Sequence, residues 1–191
     1  MTARVGAYTP SPEVVQAGSA TYARLFRETA SLNSDRAALI KGARTRSYAE
    51  LDERSNRMAR ILLDRGLDRG DRVGLLTRNC IEFVEVELAA AKIGVISVNL
   101  NWRQTPSELA HCANLTGPSF VVSSEEFVPP LREAGWQTDL VIGTEYDAAL
   151  EKIDRGDAVF EGLNDAYCNL FEGDTLVHLA RATAASRPAR T

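Results

Sequence analysis

The side chains best suited to catalysis or metal binding are few in this 191-residue chain and lie far apart along it. The three cysteines, Cys80, Cys112 and Cys168, form no C-x-x-C pair, and the two histidines, His111 and His178, show no metal-ligand spacing. His111 precedes Cys112 in a predicted helix, where neighbouring side chains point about 100° apart and cannot form a nucleophile–base dyad by themselves. We therefore assign no catalytic and no metal-binding residue.

Lysines and glycines, which bind phosphate in many enzymes, are equally uninformative here. Only three of the 22 basic residues are lysine: Lys41, Lys92 and Lys152. The chain contains neither G-x-G-x-x-G nor G-x-x-x-x-G-K-[ST], the two common phosphate-binding fingerprints. Three evenly spaced glycines follow a predicted helix, and we interpret them as loop punctuation: Gly66, Gly70 and Gly74. No cofactor-binding residue is assigned.

Composition excludes several classes of function. A net charge of −4 and a pI near 5.3 give the chain no electrostatic reason to bind nucleic acid or an anionic membrane. The longest apolar run, Leu88–Val98, is interrupted by Lys92 and is too short to span a bilayer. Met1–Pro12 lacks the apolar core of a signal peptide, and three unpaired cysteines are typical of a reducing compartment. We expect a cytoplasmic protein without a membrane span.

Three helices are predicted from their starts. Ser47 with Glu50 forms a capping box, Asn79 with Glu82 repeats the pattern, and a third box precedes a proline at the first helical position: Thr105, Pro106 and Glu108. The helices are expected to end at glycines: Gly66, Gly94 and Gly117. The acidic residues of the first helix are interpreted as a solvated face.

Four short apolar runs lie between these helices: Val73–Leu76, Val95–Val98, Phe120–Val122 and Leu140–Ile142. They show no alternation, which is typical of parallel strands covered on both faces. Strand followed by helix, repeated, predicts a doubly wound, three-layer α/β subdomain with a mostly parallel sheet. Other predicted elements are a helix at Thr21–Ala30, strands at Ala37–Ile40, Arg44–Ser47 and Thr175–Leu179, and a helix within residues 124–135.

The predicted organisation has three parts. Residues 1–18 are an irregular lead-in, and residues 19–178 form the α/β subdomain. Residues 179–191 contain no acid and no large apolar side chain after Leu179, which predicts a disordered tail rich in arginine and alanine.

Several short strings resemble, in order, the N-terminal region of AMP-forming acyl-CoA synthetases and related acyl-adenylate-forming enzymes. Thr45–Leu51 is similar to an early family segment that ends in T-Y-A-E-L. Five further strings resemble N-R-x-A, G-x-x-x-G-D-R-V, N-S-x-E-F, K-x-G-A-V…P-L-N and T-x-x-E-L: Asn56–Ala59, Gly66–Val73, Asn79–Phe83, Lys92–Asn101 and Thr105–Leu109. The resemblance covers about Thr21 to Ser124 and identifies the family but no substrate.

The serious departure from this family lies near the end of the chain. After Thr175–Leu179 the family has a phosphate loop of the form T-S-G-T-T-G-x-P-K-G, and the corresponding residues here are Arg181–Arg190. Arg187-Pro188 keeps the x-P pair, and Thr183 and Ser186 keep hydroxyls, but the glycines and the lysine are missing. Because glycine permits close backbone approach and positive φ, we expect no phosphate binding by this segment.

The resemblance implies a function for the full-length relative. Such an enzyme activates a carboxylic acid with Mg-ATP to acyl-AMP and transfers the acyl group to coenzyme A. Its catalytic lysine lies in a C-terminal domain, and Lys41, Lys92 and Lys152 do not correspond to it. We therefore expect an N-terminal fragment, incomplete relative to the full fold, that binds no cofactor and is inactive alone.

Two alternatives stay open. The chain could be a non-catalytic truncated paralogue or gene remnant that acts as a protein-binding module, in which case an exposed apolar patch should promote self-association. It could also be an unrelated nucleotide-binding α/β domain, which we disfavour because no glycine fingerprint follows a predicted strand.

Overall fold

A computed structural model describes residues 21–153 of the chain. Their helices and strands follow in this order: α1 Tyr22–Leu32, β1 Ala37–Lys41, β2 Arg44–Ser47, α2 Tyr48–Asp64, β3 Arg72–Leu76, α3 Ile81–Ile93, β4 Ile96–Asn99, α4 Pro106–Thr116, β5 Phe120–Ser124, a 3₁₀ turn Glu125–Phe127, α5 Val128–Glu133, β6 Leu140–Ile142 and α6 Thr144–Glu151. The predicted lead-in, the strand Thr175–Leu179 and the tail 179–191 lie outside these residues, as do Cys168 and His178.

The central sheet has four parallel strands in the order β4-β3-β5-β6. The central strands β3 and β5 are buried on both faces, as the absence of alternation in the sequence predicted, whereas the edge strand β4 is only partly buried. Val73 and Leu75 face the larger apolar cluster, which includes residues of α2, α3 and α6, whereas Leu76 faces a smaller one with α4 and α5. Helices therefore cover both faces of the sheet, and the predicted α/β class with a parallel sheet is confirmed.

The hairpin β1–β2 is a separate antiparallel pair outside the main sheet. It packs on α2 and α3. Its two strands correspond to the predicted pair, and Gly42 supplies the positive φ of +59° that the turn requires.

The helix starts were largely predicted. The capping boxes of Ser47 with Glu50 and of Thr105 with Glu108 are both formed. The predicted cap at Asn79 is wrong, because Cys80 caps α3 and its Sγ accepts the Phe83 N–H at 3.3 Å. The predicted helix at Thr21–Ala30 is α1, with Thr21 as its cap.

Two interpretations need correction. Gly66 and Gly70 occupy turns with φ near +82° and +84°, but Gly74 lies inside β3 and is not loop punctuation. A Cβ on Gly74 would lie 3.3 Å from the ring of Pro118, so this glycine allows close packing between β3 and the chain before β5. The helix expected within residues 124–135 is a 3₁₀ turn followed by α5, and α6 was not predicted.

Candidate functional site at the carboxyl end of the sheet

Parallel sheets place ligands beside the carboxyl ends of neighbouring strands whose connections leave in opposite directions. Here β3 connects through α3 to β4 on one side, and β5 connects through α5 to β6 on the other. The carboxyl ends of β3 and β5 therefore form the switch point of this sheet, and the side chains that follow them are the candidate site.

Hydroxyl groups join the two strands at this point. The side chains of Thr77, directly after β3, and Ser124, at the end of β5, are hydrogen-bonded to each other. The neighbouring Ser123 is fully buried and is hydrogen-bonded to Thr138 at 2.9 Å. These hydroxyls therefore have partners within the protein, and their geometry indicates a structural role at the base of the site.

Two arginines lie against one tryptophan in the segments that follow β3 and β4. The guanidinium carbons of Arg78 and Arg103 lie 4.3 and 4.0 Å from the centroid of the Trp102 ring. Arg78 also donates to Glu126 at 3.0 Å in an exposed pair. Two guanidinium groups beside an aromatic face can bind an anionic group and stack on a planar one, so this cluster suits a charged, planar ligand.

Sequence reasoning missed this cluster. Arg78 follows the apolar run Val73–Leu76, and Trp102 and Arg103 follow the run Val95–Val98 with a few residues between. The carboxyl ends of neighbouring parallel strands meet at one edge of a sheet, so strand assignment alone would have brought these residues together.

Cys80 lies near the same edge but is not an activated nucleophile. Its Sγ is 3.6 Å from the Thr77 hydroxyl and accepts the Phe83 N–H as the cap of α3. Burial raises the pKa of the Cys80 thiol, even though these two hydrogen bonds oppose the change. The thiolate, which is the reactive form, is thus disfavoured.

The structure does not join the other candidate residues into a site. His111 is exposed on α4, whereas the thiol of Cys112 is half-buried and accepts from Gln104 Nε2 at 3.1 Å. Within residues 21–153, no group of three or more histidine, cysteine or acidic side chains could hold a metal ion. No helix in this part of the chain is long and apolar enough to cross a bilayer.

Two of the three lysines, Lys41 and Lys92, have structural partners. Lys41 Nζ donates to the backbone oxygen of Asn79 at 2.6 Å. Lys92 is 2% exposed, and its ammonium donates to the side chains of Asp52, Ser55 and Asn56, each at 2.7 Å. The interpretation of the acidic residues of α2 as a solvated face is therefore wrong for Asp52, which neutralises a buried cation.

A separate open groove of about 500 Å³ lies at the end of β6. It is lined by residues of β6, α6 and the start of α5: Glu125, Val128, Pro129, Val141, Ile142, Gly143, Thr144 and Glu145. Its two charged side chains are both acidic, so the groove repels a phosphate rather than binding one.

Comparison with known proteins defines the family. The sequence model of the AMP-binding enzyme family matches residues 26–174, which is more than half of the chain. The 3-oxocholest-4-en-26-oate–CoA ligase of Rhodococcus rhodochrous is 40% identical over 89 residues, which make up 47% of this chain and 16% of that ligase. This chain thus spans only a small part of the length of the curated relatives that it matches.

Solved structures agree with this result. A putative long-chain-fatty-acid CoA ligase from Rhodopseudomonas palustris superimposes with a TM-score of 0.62 at 30% identity, over 66% of this chain and 33% of that one. The N-terminal domain of FACL13 from Mycobacterium tuberculosis shares the fold, with a TM-score of 0.67 at 23% identity over 74% and 38% of the two chains. This chain belongs to the AMP-binding enzyme family, and its described residues have the α/β fold found in the N-terminal domain of a family member.

Proposed function

We propose that this chain is the N-terminal α/β part of an AMP-forming acyl-CoA ligase and does not catalyse adenylation by itself. The complete enzyme would convert a carboxylic acid and Mg-ATP to acyl-AMP and pyrophosphate, and would then transfer the acyl group to coenzyme A. The observation that carries the proposal is the family match over residues 26–174, to which all but the first turn of the described fold belongs. Long-chain fatty acids are the proposed substrate class, because relatives with that name are among the matches.

The chemistry of the described residues supports the inactive part of the proposal. Catalysis of adenylyl transfer to a carboxylate, in which pyrophosphate leaves, relies on cations and N–H groups placed around the α-phosphate. The carboxyl end of the sheet offers Arg78 and Arg103, but Lys92 is enclosed by three side-chain oxygens and cannot reach a ligand there. Arg181–Arg190 lies outside the described residues and lacks the glycines of the family's phosphate loop.

Pyrophosphate exchange tests the proposal. The 191-residue chain is incubated with Mg-ATP, labelled pyrophosphate and a series of fatty acids, with the Rhodococcus ligase as a positive control. We expect exchange at the background rate with every acid. A thermal scan with and without Mg-ATP gives a second readout, because a ligand at 100 times its dissociation constant raises stability by about 2.7 kcal/mol. Exchange above background contradicts the inactive part of the proposal, whereas a shift of the transition with Mg-ATP but without exchange would show that this part binds the nucleotide and does not turn it over.

A non-catalytic binding module is the second candidate. It is favoured by the exposed face of α1, where Tyr22 and Leu32 are 62% and 83% exposed and Leu25 lies between them on the same side. Three exposed apolar residues on one helix face suit a protein partner, including another copy of the chain. The compartment proposed for either candidate is the cytoplasm, where the free thiols of Cys80 and Cys112 would stay reduced.

A further inference from the structure

A buried carboxylate lies at the centre of the packing between four elements. Glu85, on α3, is fully buried. Arg54 of α2 donates to Glu85 Oε1 at 2.6 Å, and Arg46 Nε of β2 lies 3.8 Å from the same oxygen. A buried charge is tolerated only when cations and hydrogen bonds compensate it, and Arg46 and Arg54 are the cations that lie beside Glu85.

The hairpin β1–β2 depends on these contacts. Two-stranded hairpins are marginally stable by themselves, and most residues of this hairpin are exposed. Its arginines bind the two buried carboxylates of α3: Arg44 pairs with Glu82, and Arg46 lies against Glu85. The ion pairs of Arg44 and Arg46 therefore contribute to the docking of the hairpin on α3.

The helix α6 depends on the same carboxylate from the opposite side. It has eight residues, its first turn has no side-chain cap, and helices this short are marginal in isolation. Tyr146 and Leu150 anchor it in the core. Arg54, which binds Glu85, also donates to Asp147 at 2.6 Å and lies over the Tyr146 ring at 5.8 Å. One guanidinium thus holds both the carboxylate of α3 and the first turn of α6.

Some polar atoms around Glu85 are not used in hydrogen bonds. Among residues 21–153, four buried side-chain polar atoms have no hydrogen-bond partner, and three of them belong to Glu85 and its neighbours: Arg46 Nε, Glu85 Oε2 and the Tyr146 hydroxyl. Burial raises the pKa of Tyr146, and the proximity of Glu85 adds to the effect, so the phenol keeps its proton. Both Arg46 and Tyr146 are therefore donors beside one carboxylate with an unused oxygen. If either side chain moves, the hydrogen bond that the other can make to Glu85 changes.

We propose that Glu85 couples the hairpin β1–β2 to α6, so that the two elements dock on the α2–α3 pair, or release from it, as one unit. The elements on either side are individually marginal, and each draws part of its docking energy from the same buried carboxylate through Arg46 or Arg54. The inference is independent of the proposed activity.

Hydrogen–deuterium exchange of the full chain tests the coupling by perturbing one element and observing the other. Asp147→Asn removes the charge on α6 that Arg54 binds, and its side chain is 47% exposed, so the fold should tolerate it. Arg46→Met removes the contact from the hairpin side. We expect Asp147→Asn to increase the exchange rates of the amides of β1 and β2 by at least fivefold. We expect Arg46→Met to increase the exchange rates of the amides of α6 by a similar factor.

Controls separate coupling from general loss of stability. The amides of α4 and β5 serve as an internal reference, since they pack on the other side of the sheet or at its centre. Arg24→Met removes an exposed ion pair with Glu28 on α1 and should change the amide exchange of neither the hairpin nor α6. Faster amide exchange in the substituted element alone refutes the coupling. Equally faster exchange in α4 also refutes it, because that result would show global destabilisation.

Discussion

The buried ammonium of Lys92 gives the sharpest prediction about what stabilises this fold. Its Nζ donates to Asp52 Oδ1, Ser55 Oγ and Asn56 Oδ1 at 2.7 Å each, and to the backbone oxygen of Asp52 at 3.1 Å. Burial lowers the pKa of Lys92, while the charge and hydrogen bond of Asp52 oppose that change. The cation therefore ties α3 to α2 through a fully coordinated but costly contact.

The substitution Lys92→Met keeps most of the side-chain volume and removes the charge. Breaking a buried ion pair on one side costs about 3–5 kcal/mol when the remaining charge is fully buried. The side chain of Asp52 is 26% exposed, and Ser55 Oγ retains a bond to the Leu51 oxygen at 2.7 Å, which lowers the expected loss. We expect the free energy of unfolding to fall by about 2–3 kcal/mol.

Urea denaturation, followed by circular dichroism, measures this loss. Lys152→Met is the matched control, because Lys152 follows α6 and is exposed, and its replacement should change the free energy by less than about 0.5 kcal/mol. A second variant, Asp52→Asn, removes the charge from the other partner. A loss below about 1 kcal/mol for Lys92→Met, with an unchanged m-value, would show that the buried pair contributes little and that our reasoning is wrong.

Three further predictions concern other parts of the fold. Burial raises the pKa of Glu82, but the hydrogen bond and charge of Arg44, together with hydrogen bonds from the backbone and from Cys80, lower it below its ordinary value near 4.5, so the unfolded chain binds the proton more tightly. The wild-type free energy of unfolding should therefore fall as the pH decreases from 4.5 towards the lowered pKa, and Glu82→Gln should lose this part of the pH dependence in urea titrations. Thr105→Ala removes the cap of α4 and should cost about 1 kcal/mol, measured by urea denaturation; no change would mean that Glu108 alone suffices at this helix start. Replacing Leu25 and Leu32 with glutamate should abolish concentration-dependent self-association in sedimentation velocity, and a wild-type chain that stays monomeric at high concentration contradicts the prediction.

The sequence predicted the framework of the fold because the signals for it are local. Ser47 and Thr105 cap their own helices through residues three positions away, and the apolar runs of β3 and β5 indicate burial on both faces without reference to any partner. Cys80 was missed as a cap because cysteine is outside the usual set of capping residues, and Asn79 beside it is within that set.

The charged interior could not be predicted in the same way. In the sequence, Lys92 interrupts an apolar stretch and has no evident partner. Its partners Asp52, Ser55 and Asn56 are 36 to 40 residues away along the chain. Glu85 appears as an ordinary helical glutamate until the hairpin and α6 are placed against it. Such pairs are fixed by tertiary packing, so composition and periodicity carry no signal for them.

The position of the arginines relative to the hydroxyls bears on how this part could serve a complete enzyme. Among residues 21–153, Thr77 and Ser124 bind each other at the switch point, so neither hydroxyl is free to act as a nucleophile or base there. What it does offer is positive charge and an aromatic face, from Arg78, Arg103 and Trp102. Groups of that kind hold and orient an anionic ligand but do not make or break its bonds. We therefore propose that residues 21–153 contribute ligand binding at this edge of the sheet rather than the groups that react.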